Sequence, residues 1–158
     1  MRNILHLMAF SVIFSTFCIS LKAQASETDG EWLFSKADFL IYKFGESTLL
    51  ETITINRAED LGNEGFPFDR VFVKASVTGN HVSVTLNDGN TYLLNDNYLI
   101  LEKDLDSENP QTISLPSTKY KVVNGNLQFE LEYSYGDTKY NFPLKGKMII
   151  IMTKETNS

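Results

Sequence analysis

Cysteine occurs once in this 158-residue chain, at Cys18, and histidine twice, at His6 and His81. That scarcity excludes a disulfide framework, a Cys nucleophile in the folded part, and any Cys/His cluster of the kind a zinc site needs. Basic residues are also few, at 14 Lys and Arg against 20 Asp and Glu. A nucleic-acid partner, whose phosphates demand clustered Lys and Arg, is therefore not expected. No apolar run is long enough to span a membrane, which takes about 20 residues. The best run, Leu7 to Ile19, is broken by Ser11, Ser15 and Thr16 and ends at Ser20 and Lys22. Beyond that run no helical stripe is found, and the one candidate, Ala58-Glu59-Asp60-Leu61 after Arg57, is stopped by Gly62 after a single turn.

What the first 25 residues do contain is the order of an export signal. Arg2 gives the positive start, Leu7 to Ile19 an apolar run of secretory length, and Ala23-Gln24-Ala25 the small residues of a cleavage site. Residues 1–25 are read as a signal peptide cut after Ala23 or Ala25, and residues 26–158 as one domain, periplasmic or extracellular, with no stable membrane insertion after cleavage. Cys18 does not mark a lipid anchor, since the bulky Phe17 precedes it. Removing Arg2 and Lys22 leaves 12 basic residues against 20 acidic, a net charge of -8, and His81 as the single histidine.

The remaining pattern has a period of 2. Leu127, Phe129, Leu131, Tyr133 and Tyr135 alternate with Gln128, Glu130, Glu132 and Ser134, as in a strand with one buried and one wet face. Val71, Val73, Ala75 and Val77 repeat the pattern, as do Val82, Val84 and Leu86, and Thr78-Gly79-Asn80 separates those two runs. Turn chemistry returns at Asn87-Asp88-Gly89-Asn90, Asn95-Asp96-Asn97, Asn124-Gly125 and Gly136-Asp137. The spacing predicts strands near 30–36, 39–44, 48–56, 70–77, 81–86, 91–94, 98–102, 111–115, 118–123, 126–135 and 139–153, some of them merging. The fold class is all-β, an antiparallel up-and-down meander of about eight to ten strands. Met148-Ile149-Ile150-Ile151-Met152 is apolar on both faces, as expected of a strand covered on each side. Pairing the first strand with the last would close the meander into a barrel and remove its edges.

Gly30-Glu31-Trp32, a few residues past the cleavage site and opening the first strand, resembles the Gly-X-Trp start of lipocalins and related calycins. The single mature Trp, the meander of hairpins and the final apolar strand follow the same order. The resemblance implies an eight-stranded barrel with Trp32 packed across one end, Gly30 beside it, and a small apolar molecule bound in the interior. The chain departs from the family in having Lys145, Lys147 and Lys154 where an Arg near the end of the last strand usually stacks on the Trp, and in lacking a disulfide and a helix after the last strand. It is most similar to the minimal lipocalin-like domains of exported bacterial proteins.

The expected ligand is accordingly a small hydrophobic molecule, and no cofactor or metal is expected. Its candidate site is lined by Phe129, Leu131, Tyr133 and Tyr135, which alternate inward, and is approached past Phe66 and Phe68 in the glycine-flanked segment 57–69, a loop long enough to act as a lid. The alternative is a core packed solid by the same aromatics, in a structural or protein-binding β-domain of the cell envelope. Enzyme signals are thin. His81 begins a strand beside a turn, Gly45-Glu46-Ser47 lacks the second Gly of a nucleophile elbow, and Glu130 and Glu132, about 6.7 Å apart along one strand, read as a solvated face. Asp104, Asp106 and Glu108 place oxygens at every second residue but lack the Gly of a calcium loop.

Overall fold

The computed structural model describes residues 26–60, 71–135 and 139–156. Residues 1–25, expected to be a signal peptide, and Phe66 and Phe68 of the expected lid lie outside the described residues. Ten strands follow one another: β1 (Gly30–Lys43), β2 (Leu49–Ile55), β3 (Phe72–Thr78), β4 (His81–Leu86), β5 (Thr91–Asn95), β6 (Tyr98–Leu101), β7 (Thr112–Ser114), β8 (Thr118–Val123), β9 (Asn126–Tyr135) and β10 (Leu144–Lys154). Among the described residues the only helical turns are two 3-10 pieces, Ala58–Asp60 and Glu102–Asp104. The predicted strands at 30–36 and 39–44 merge into β1, and the tract 139–143 stays outside β10. The Asn124-Gly125 turn has positive φ at both positions, 52° and 76°, which is what its hairpin geometry demands.

All strands belong to one antiparallel sheet ordered β7-β6-β5-β4-β3-β1-β10-β9-β8, with β2 also paired to β1. β1 is its hub. Along one edge it pairs with β10 from Trp32 opposite Lys154 to Lys43 opposite Leu144. Along the other it pairs first with β3, over Gly30 to Leu33, and then with β2, over Ala37 to Tyr42. The register of β1 against β10 slips between Phe34 and Lys36, the extra residue of a bulge that bends the strand where its other edge changes partner.

The first strand does pair with the last, as expected, but this puts both at the middle of the sheet and leaves it open elsewhere. The sheet is not closed into a barrel: β7 and β8 end the order, and no ladder joins them. Residues 112–114 spend their ladder on β6 and 118–123 on β9. Pro116, which has no N–H to donate, stands between them. No single strand carries both edges, so the expected closure is replaced by a seam.

The sheet nonetheless curls tightly on itself. Phe72 of β3 and Phe129 of β9 are three strand steps apart along the ladder, roughly 14 Å in a flat sheet, yet their ring centroids are 5.1 Å apart at 85°. Trp32, Phe39, Val84, Leu127, Met148 and Ile150 are among the residues wholly buried inside the curl, and no polar or charged described residue is buried with them. β10 corrects another expectation. Its inner residues Met148, Ile150 and Met152 are buried, but Ile149 and Ile151 are only half-buried. No layer among the described residues covers them. They sit between Asp38 and Lys36 of β1 and Glu130 and Gln128 of β9, whose aliphatic stems shield them in part.

Candidate ligand-binding site

The sequence placed a site on the inner face of β9, and the structure brings Phe129, Leu131 and Tyr133 together there. Phe129 and Leu131 are fully buried. The Phe129 ring meets Phe72 edge-on and Tyr120 of β8 at 5.7 Å. Tyr133, half-buried, sets its ring at 63° to Phe39 with centroids 6.5 Å apart, and burial pushes its hydroxyl well above the usual phenol range. Tyr135 pairs through its backbone with Leu144 at the end of the ladder. The four residues thus share one strand, but Phe129 and Leu131 face other side chains rather than an opening.

At the seam the surface is indented. A cleft of 260 Å³ is lined on one side by Asn80, Val82, Leu94, Asn95 and Asp96 and on the other by Thr118 and Tyr120. Its two walls come from the β3–β6 half of the sheet and from β8, across which no ladder runs. Tyr120 joins cleft to core. It stands opposite Phe129 in the β8–β9 register, touches that ring, and remains 37% exposed. Below it the chain crosses from one side to the other through Leu115-Pro116-Ser117, held by Leu115 N–H to Asn97 O at 2.6 Å and by Glu132 N–H to Ser117 O at 3.3 Å. Tyr120 was not singled out from sequence, although Thr118, Tyr120 and Val122 alternate there with Lys119 and Lys121.

Trp32 anchors the same end of the sheet. Gly30 pairs with Val77, and Val77 pairs with Val82 of the cleft wall. Trp32 is 1% exposed, its indole N–H donates to Thr28 O at 2.8 Å, and Lys154 Nζ stands 5.2 Å from its ring centroid. The far end is tied differently. Glu51 of β2 accepts from Lys139 Nζ at 2.6 Å and from the Tyr140 hydroxyl at 3.1 Å, and these two hydrogen bonds, Lys139 first, hold its carboxyl below the usual range. Tyr140 packs on Phe142, and Lys43 Nζ lies 5.4 Å from the Phe142 ring.

The carboxylates of β9 point outward and are paired. Glu130 bridges Lys121 at 2.8 Å and Lys147 at 2.6 Å, and Glu132 meets Lys145 at 2.8 Å. Hydrogen bonds from Lys121 and then Lys147 pull the Glu130 pKa down to about 2, which suits a cross-strand clamp rather than proton transfer near neutrality. His81 is exposed at the start of β4. In the acidic loop Asp104 accepts from the Gln111 N–H at 3.4 Å, and among the described residues no three His, Cys, Asp or Glu side chains converge as a metal set would.

Comparison with protein-family models, with curated proteins and with solved structures finds no match to this chain.

Proposed function

We propose that the chain is an exported, lipocalin-like binding domain that holds a small hydrophobic molecule against the interior of its curled sheet. The observation that carries this reading is the position of Tyr120, half-open to a cleft on one side and seated on the buried Phe129 on the other. The missing ladder at that point leaves β8 and the β4–β5 strands unjoined, so a ligand enters by displacing the Tyr120 ring from Phe129. The buried Trp32 beside Gly30, with a cation from the last strand over its ring, adds support because Gly30-Glu31-Trp32 is the motif on which the resemblance rests. Titration of the mature chain with hydrophobic dyes and alkyl alcohols, read by Trp32 fluorescence and by a Phe129→Trp variant as second reporter, tests the reading. Saturable change is expected. Its absence in both proteins overturns the proposal.

A second reading is favoured by the burial of Phe129 and Leu131 among protein side chains and by the exposure of Phe44, Leu49 and Leu50 around the β1–β2 hairpin. In that reading the core is solid and the domain serves the cell envelope through contacts with another protein. A negative titration with an intact fold favours it.

A further inference from the structure

The cleft at the seam has a chemical bias that names the kind of ligand it suits. Its apolar surface comes chiefly from the half-buried Leu94 and the exposed part of the Tyr120 ring, with the buried Val82 at its floor, and its polar surface from Asn80, Asn95, Asp96 and Thr118. Among the described residues no Lys, Arg or His lines it. Lys119 and Lys121 alternate to the outer face of β8, where Lys121 is engaged by Glu130, and His81 alternates away from Val82. The one ionisable carboxylate of the lining is Asp96, held at φ 49° in the tight turn between Asn95 and Tyr98, which pair with each other. The Thr118 hydroxyl already donates to Pro116 O at 2.8 Å, so what it offers an incoming group is an acceptor oxygen. A carboxylate, a spent hydroxyl and the face of a tyrosine ring together attract hydrogen-bond donors and positive charge.

Resting on the reading that this seam is a binding site, we infer that its ligand is a cationic amphiphile: an amine or ammonium head seated by Asp96 and Thr118 near the Tyr120 ring, with a short alkyl part along Leu94 and the Tyr120 ring. The volume of 260 Å³ lies just below the range of about 300–1,000 Å³ for sites that enclose drug-sized ligands. It accommodates a head and a short apolar stretch rather than a bulky ring system.

The test uses the mature chain and three single-chain C12 probes below their micelle concentrations: dodecanol, dodecanoate and dodecyltrimethylammonium. Binding is read by calorimetry and by Trp32 fluorescence. The ammonium probe is expected to bind about tenfold tighter than dodecanoate. Asp96→Asn is expected to remove most of that preference while leaving dodecanol unchanged. Asn is well suited to a positive-φ turn position, so this variant keeps the fold. Asp60→Asn, in the Ala58–Asp60 3-10 turn away from the cleft lining, controls for general attraction of cations to an acidic protein and is expected to keep the preference. Equal binding of the three heads, or a preference that survives Asp96→Asn, overturns the head-group inference while dodecanol binding leaves the binding reading standing. If no probe binds, dodecanol included, the binding reading falls and this inference with it.

Discussion

The Lys154 side chain lies across Gly30, its Cε 2.7 Å from the point where a β-carbon on residue 30 would stand. Only a residue without a side chain lets the lysine take that route to the Trp32 ring, and the Gly30 φ of 135° is itself one that other residues rarely adopt. Gly30→Ala is expected to destabilise the protein by about 1–3 kcal/mol. In a Lys154→Ala background the clash is gone and only the backbone term remains, so the same substitution should cost less. Urea unfolding of the four proteins reads the coupling, and strictly additive effects would show that the two residues do not act on one another.

Trp32 fills the end of the curl. Trp32→Ala is expected to cost about 3–5 kcal/mol, and Trp32→Phe clearly less, because it retains a ring and loses chiefly the indole hydrogen bond to Thr28. Thermal and denaturant unfolding check both. A cost for Trp32→Ala within about 0.5 kcal/mol, the range of surface positions, would remove Trp32 from the core.

Glu130 sets an acid limit on the sheet. Its folded pKa of about 2 lies below its ordinary value of 4.5, so the unfolded state takes up the proton first as pH falls. The stability it contributes is complete above the ordinary carboxylate range and is lost as pH drops from about 4.5 to about 2. The carboxyls of Glu31, Glu51 and Glu132 are lowered too and act in the same direction. Glu130→Gln is expected to flatten this acid limb while costing about 1 kcal/mol at neutral pH. An acid limb as steep as in the parent protein would assign the effect to other carboxylates.

The tie at the opposite end is separable from the cleft. Lys139→Met removes one of the two donors to Glu51 and, at an exposed pair, is expected to lower stability only slightly, and less in high salt. Because Glu51 and Asp96 lie at opposite ends of the sheet, probe binding at the seam should be unaffected. A parallel loss of binding would move the entrance to the Glu51 end.

Export makes a direct prediction. Material recovered from the periplasm or the medium is expected to begin near Gln24 or Ser26, and N-terminal sequencing that returns Met1 overturns the signal reading.

Local pattern carried much of the fold. His81–Leu86, Thr118–Val123 and Asn126–Tyr135 form strands where alternation and turn residues set both ends, because a strand with one wet face writes its period into neighbouring residues. Pairing partners were less legible. Nothing near Thr112 or Thr118 says that one segment ladders to β6 and the other to β9, since that follows from the curl of the whole sheet. Ile149 and Ile151 misled for a related reason: two apolar faces suggested two covering layers, whereas a central position between Lys36 and Asp38 on one side and Gln128 and Glu130 on the other supplies partial shielding. The candidate site was legible only in its buried part. Phe129, Leu131 and Tyr133 announced an inner face, while Tyr120 and Asp96 gained their place from the seam.

β10, flanked along its length by β1 and β9, comes last in chain order among the described strands and is one of the most central. Its partner β1 lies more than 100 residues earlier in the chain, so the ladder from Trp32 to Lys154 closes the longest loop in the molecule. Until Leu144–Lys154 is available, β1 has no neighbour on that edge and β9 is paired only with β8. Such non-local pairing slows folding: without Leu144–Lys154 nothing joins β1 to β9, and the ladder that carries Trp32 and Phe39 to the same interior as Phe129 is missing.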